Sequence, residues 1–145
     1  MKYTLLFLIV LFSEILFAQD TLKENSDFPH KGNYILKEAN EDIPIMYGLV
    51  LSDNSSKDIT SSGSEYKYVK GKDTAGVLLT VKDMTAHYEE LAKKLGGKKI
   101  YSMETNATYK YEKAGKTYWL ALQYNLIEQE TITVEDYYLT IIEDK

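Results

Sequence analysis

Between Asp83 and Leu95 the apolar residues Met84, Tyr88, Leu91 and Leu95 recur at spacings of four, three and four, the single stripe of an amphipathic helix. Thr80 or Asp83 stands where a side-chain oxygen can accept the free amides at its start. Glu89 and Lys93, and Glu90 and Lys94, are four apart with the acid first, the favourable order on a helix surface. Gly96-Gly97 ends the pattern, because glycine tolerates the left-handed backbone that helix ends adopt. Beyond it the period changes to two. Lys98–Met103 predicts a short strand, and Ala107, Tyr109 and Tyr111 then share one face against Thr108, Lys110 and Glu112. Lys113–Lys116 reads as a tight turn into Thr117–Leu126, where Tyr118, Leu120, Leu122, Tyr124 and Leu126 alternate with Trp119, Ala121, Gln123 and Asn125. An acidic loop, Glu128–Glu130, leads to a last strand over Ile132–Glu143.

The pattern before the helix is weaker. Gln19–Gly32 is polar and reads as a flexible arm ending near Pro29 and Gly32. Tyr34–Lys37 predicts a short strand and Ile43–Leu51 a second, which Pro44 confines to an edge or a strand start. Asp53–Ser64, rich in Ser, Asp, Asn and Gly, reads as a mobile loop. Glu65–Lys70 alternates again with Tyr66 and Tyr68 on one face; Gly71–Thr74 is a turn and Gly76–Val81 a further short strand. Together these elements predict one domain over residues 33–145, of the α+β class, an antiparallel sheet with one main helix packed on it.

The first eighteen residues follow a different rule. Lys2 precedes the apolar run Tyr3–Ser13, and small Ala18 is followed by polar Gln19 and Asp20, the order of a secretory signal peptide cleaved after Ala18. The run before Glu14 is far short of the ~20 apolar residues a membrane-spanning helix needs. Export to the periplasm or out of the cell is therefore expected, with no transmembrane segment in the remaining 127 residues.

Composition narrows the chemistry. The 145 residues contain no Cys, two His (His30 and His87) and 17 basic residues, all Lys. A disulfide framework, a thiolate metal site and a cysteine nucleophile are excluded, and without Arg no guanidinium fork can grip phosphate. A formal charge of −5 argues against nucleic acid as a partner. The charge is uneven: −4 over Gln19–Thr60, +4 over Ser61–Ile127 and −5 over Glu128–Lys145. Lys93, Lys94, Lys98 and Lys99 could meet an anionic polymer, although basic residues at a helix end ordinarily compensate its dipole.

From His87 to Glu143 the chain resembles a domain that precedes the peptidoglycan-binding part of many OmpA-family envelope proteins. The residues that carry the likeness are His87–Tyr101, Ala107–Tyr111, Lys116–Trp119 and the ending Tyr137–Glu143, with Asp27-Phe28-Pro29 and Gly32-Asn33-Tyr34-Ile35 similar to that domain's opening. The resemblance implies an envelope domain without assigned chemistry and transfers no catalytic residue. Peptidoglycan binding belongs to the part that follows in those proteins, and this sequence stops at Lys145.

Candidate sites are few. His87 lies at the edge of the helical stripe and lacks the three or four converging ligands of a zinc site. Asp53–Asp58 has the polarity of a calcium loop but lacks its central Gly and final Glu, and Lys57 opposes the ion. No Gly-x-Ser-x-Gly turn or phosphate loop occurs. No catalytic, cofactor or metal residue is expected. Trp119 stands on the lesser face of its strand beside Gln123, where an exposed ring would stack on a sugar or anchor a partner, whereas a second core packed under the N-terminal arm would bury it equally well; Lys98 and Lys99 join them as candidate partner contacts. The expected function is a non-enzymatic exported binding or adaptor domain for an unknown protein or envelope polymer. A secreted enzyme inhibitor and a carboxylate-based hydrolase are the alternatives.

Overall fold

The computed structural model describes residues 22–73 and 76–145, so the expected signal peptide lies outside the described residues. Six antiparallel strands form one sheet: β1 (Tyr34–Ser52), β2 (Ser55–Lys70), β3 (Lys98–Met103), β4 (Asn106–Lys113), β5 (Lys116–Ile127) and β6 (Thr133–Asp144). Their spatial order is β1-β2-β6-β5-β4-β3, which leaves β1 and β3 at the edges. A single helix among the described residues, α1 (Val81–Lys94), joins β2 to β3. The architecture is a predominantly antiparallel sheet with one helix. No described helix is long and apolar enough to cross a membrane.

The expected stripe on α1 faces the sheet: Met84 and Tyr88 are fully buried and Leu91 nearly so, with Leu95 packed at its margin. Thr80 is the cap, its hydroxyl accepting the Asp83 amide at 3.1 Å. Gly96, with φ +71°, turns the chain out of the helix while the Gly97 amide donates to the Ala92 carbonyl at 2.9 Å. Glu89 pairs with Lys93 at 2.9 Å as expected, and also with Lys99 at 3.1 Å.

Tyrosines dominate the core on this face. Tyr66, Tyr68, Tyr88, Tyr109 and Tyr137 are each at most 1% exposed. Burying a phenol costs free energy unless its hydroxyl finds a partner. Tyr88 and Tyr137 bond to each other at 2.8 Å, Tyr109 donates to the Thr85 carbonyl at 2.9 Å, and Tyr34 donates to the Val134 carbonyl at 2.7 Å. Tyr68 stacks on Tyr137 with ring centres 4.8 Å apart. Burial pushes the ionisation of Tyr88, Tyr109 and Tyr137 well above the ordinary phenol range, so these rings stay neutral donors.

Three parts of the N-terminal half differ from expectation. The two strands expected at Tyr34–Lys37 and Ile43–Leu51 are one strand, β1, carried past Pro44 by bulges at Leu36/Glu38 and Asn40/Ile43, with Asp42 at φ +52°. The expected loop Asp53–Ser64 is a two-residue turn at Asp53-Asn54 followed by β2. The expected strand Gly76–Val81 is an irregular segment tied down by bonds from Asn33 to Val77, from Leu79 to the Tyr34 hydroxyl, and from Val134 to Leu79. Residues 22–33 carry no helix or strand, as expected of an arm, yet they are packed. Phe28 is fully buried edge-on to Tyr111, Asn25 accepts the amides of Asp27 and Phe28, and Lys113 pairs with Asp27.

The upper half of the β1–β2 hairpin makes a second core on the other face of the sheet. Ile45, Leu49 and Ile59 pack there on Trp119, Ala121 and Ile142, with Ile43, Tyr47, Leu51 and Ile100 around them. The sheet coils enough to bring β1 against β3 and β4. There the Thr108 hydroxyl donates to the Val50 carbonyl at 2.8 Å.

Candidate functional site

Trp119 is 6% exposed, which removes the open ring that a stacking or anchoring role requires. The hairpin that reads as a loop in the sequence is what covers it. Lys110 and Lys57 lie over the indole, 4.8 and 5.5 Å from its centre, and both pair with Asp144 at 3.6 and 3.0 Å. Burial pushes the Asp144 carboxyl up, but hydrogen bonding from Lys57 and the charges of Lys57 and Lys110 outweigh it and hold the group below its ordinary range. This cluster closes one end of the second core.

The other candidate contacts are exposed but do not share a surface with one another. Lys98 opens β3 opposite Lys110, beside a shallow pocket lined by Gly96, Tyr111 and Thr117. Lys99 is engaged by Glu89 at the groove between α1 and β3. Gln123 lies in the middle of β5, opposite Asn106 and Tyr138. Neither histidine has metal-site company: among the described residues no group of three or more His, Cys, Asp or Glu converges. His87 bonds through Nε2 to the Pro29 carbonyl at 2.7 Å, and burial holds its pKa below the ordinary value. His30 pairs through Nδ1 with Glu24 at 2.6 Å. Burial raises Glu24, but the His30 amide and ring and the Tyr68 hydroxyl outweigh that, and its pKa is lowered. His87 thus ties the N-terminal segment to the helix, and Glu24, held by His30, accepts from the core Tyr68 hydroxyl at 3.0 Å.

Gln123 does line a cleft. A concavity of about 540 Å³ opens between β1 and the adjoining ends of β4 and β5. That volume falls in the ~300–1,000 Å³ range of small-ligand sites. Its β1 wall is Met46, Tyr47, Gly48 and Val50; its other walls include Thr105, Asn106, Thr108, Gln123 and Asn125. No Asp, Glu, Lys or His lines it, in a chain of which 27% is charged. Asn106 is among its lining residues, with an amide oxygen, Oδ1, that is buried from solvent and has no hydrogen-bond partner in the chain. A groove of about 550 Å³ between α1 and β3 contrasts with it, being lined by Lys82, Glu89, Lys99 and Glu104. Of the four candidate partner residues only Gln123 belongs to the uncharged cleft. Its other members carry no motif; the absence of charge from Ile43 to Ser52 is the one signal the sequence offered.

The cleft offers hydroxyl and carboxamide donors and acceptors, and its lining includes no Asp, Glu, Lys or His. Tyr47, its partly exposed phenol, is pushed up by burial and then by the charge of Glu65. Such a lining can hold a neutral polar ligand by hydrogen bonds and exclude charged ones by leaving their charge unpaired.

Comparison with protein-family models, with curated proteins and with solved structures finds no match.

Proposed function

We propose that this chain is a non-enzymatic binding domain of the cell envelope or the exported fraction, and that it binds through the uncharged cleft between β1 and the ends of β4 and β5. The observation that carries the reading is the cleft's lining: carboxamides and hydroxyls on a partly apolar wall, with no ionisable group suited to catalysis. Export rests on the residue pattern of Met1–Ala18 and on the resemblance of His87–Glu143 to the envelope domain of OmpA-family proteins. The hydrolase alternative loses support because no Asp or Glu lines the cleft, and Asp136 beside it is bound by the Asn125 amide.

A photo-crosslinking residue placed at Gln123, and separately at exposed Glu112 on the far end of β4, tests the proposal. With cell-envelope extract, a discrete adduct is expected from position 123 and not from position 112. Adducts of equal yield from both, or turnover of a small ester or glycoside substrate by the purified protein, overturns it. N-terminal sequencing of the exported protein is expected to begin at Gln19.

A further inference from the structure

On the reading that this cleft is the binding site, we infer that its ligand is an uncharged, extended peptide segment that adds as a strand to the open edge of β1. Strand β1 is hydrogen-bonded to β2 along one edge and to no strand along the other. The Val50 carbonyl accepts from Thr108 on β4, so it points away from β2 and into the cleft side. Register is unbroken from Met46 to Val50, opposite Thr60, Asp58 and Ser56 at alternate positions. Main-chain groups of alternate residues share an edge, so Met46 and Gly48 present their N–H and C=O on the same side as Val50. Gly48 lines the cleft without a side chain, which makes the wall there backbone.

Edge strands are ordinarily guarded by charge, brevity or cover. Strand β3, the opposite edge, is six residues long and begins with Lys98 and Lys99. The ten residues Ile43–Ser52 of β1 carry no charge, and Met46 is 82% exposed. Thr108 covers the edge at Val50. From Met46 to Leu49 the edge runs about 10 Å at ~3.3 Å per residue, room for three or four residues of a paired strand. Across from it, the exposed Gln123 carboxamide matches a peptide group's donor and acceptor, while the Asn125 amide on the same wall is held by Asp136. A sugar would want an open aromatic face; of the cleft's two aromatics, Tyr124 is 3% exposed and Tyr47 packs against the second core. An uncharged strand also meets no desolvated partner charge on any wall.

The test uses the isotope-labelled protein and a displayed octapeptide library, the best clone then being synthesised with both ends capped. Enriched sequences are expected to lack charge at their central positions. On titration, amide signals of Met46, Gly48 and Val50 and the side-chain amides of Asn106, Gln123 and Asn125 are expected to move. N-methylating the peptide at residues of one parity should weaken binding at least tenfold, and at the other parity less than twofold. Gly48→Pro removes an outward N–H at an edge position and should weaken binding at least tenfold; Gln123→Ala, on the opposite wall, serves if the proline variant melts early. If the cleft signals move but N-methylation at both parities is tolerated, or a neutral oligosaccharide moves them and no peptide does, the strand inference is overturned while the cleft stands as the site. If neither peptide nor oligosaccharide moves any cleft signal, both are overturned.

Discussion

Replacing Phe28 by Ala is expected to destabilise the protein by ~3–5 kcal/mol, the range for deleting a buried phenylalanine side chain. Phe28 has no exposed surface, and its ring meets Tyr111 edge-on with centres 5.1 Å apart. The edge-on contact accounts for ~0.5–1.5 kcal/mol of that loss, and removal of apolar area with an unfilled cavity accounts for the rest. For a chain of this size the midpoint should drop on the order of 10 °C. Urea unfolding followed by circular dichroism measures it, and an unchanged slope against urea would place the effect in stability rather than in the compactness of either state. A loss below ~1 kcal/mol would mean that residues 22–33 peel away at little cost and that Phe28 is not part of the core. A double-mutant cycle with Tyr111→Ala isolates the ring contact; additive losses would show that Phe28 is stabilised by something other than Tyr111.

His87 has a folded pKa below its ordinary 6.5, through burial first and the charges of Lys31 and His30 as well. Its contribution to stability is therefore complete above pH 6.5 and is lost as pH falls through that value towards the folded pKa. Urea midpoints measured from about pH 7.5 to 5 should fall less steeply in His87→Gln than in the parent, and equal slopes would refute this. A Cβ at Gly97 would lie 2.6 Å from the Lys110 carbonyl oxygen and from the Tyr111 Cβ, whereas one at Gly96 meets nothing within 4 Å. Gly97→Ala should thus cost ~1–3 kcal/mol by overpacking, and Gly96→Ala about 1 kcal/mol from its left-handed backbone alone; thermal melts of the pair check the order. Trp119, the one tryptophan, should emit at short wavelength, resist quenching by acrylamide and shift red on unfolding, with strong quenching of the folded protein contradicting its burial.

The half of the chain from the helix onward was legible because its large apolar residues keep one period against the first core, even where β5 and β6 also bury Trp119, Ala121 and Ile142 in the second. Met84, Tyr88, Leu91 and Leu95 give α1 its period, and the tyrosines and leucines of β4 and β5 alternate cleanly. The hairpin was not, for reasons visible in its packing. Inward positions of β2 above Tyr66 hold Ser61 and Gly63, since a Cβ at Gly63 would meet the Ile141 carbonyl oxygen at 2.4 Å and the Ile45 side chain at 2.9 Å. The sheet coils so tightly there that only small residues fit, and small polar residues in sequence look like a loop. In β1 the bulge between Asn40 and Ile43 moves the buried face from Leu36 and Ala39 to Ile43, Ile45, Tyr47 and Leu49, which breaks the period and divides one strand into two apparent ones.

The same coiling explains how Trp119 is covered and where the proposed site lies. A ring alternating with Ala121, Gln123 and Asn125 has the pattern of a solvent face, because sequence shows which residues share a face but not what covers it. The hairpin covers that face at Trp119 and Ala121 and stands away from it at Gln123 and Asn125, so one strand face is core at one end and cleft wall at the other. What separates the two ends is the reach of β1, whose edge is sealed by Thr108 at Val50 and open at Gly48 and Met46. Lys98 and Lys99 fit the same logic on the opposite edge. One faces Lys110 across β3–β4 and the other pairs with Glu89, so their charge keeps β3 from accepting a strand and ties it to α1. The two edges of one sheet are thus treated differently, β3 closed by lysines and β1 left uncharged where it lines a cleft, and that asymmetry supports the proposed recognition along β1.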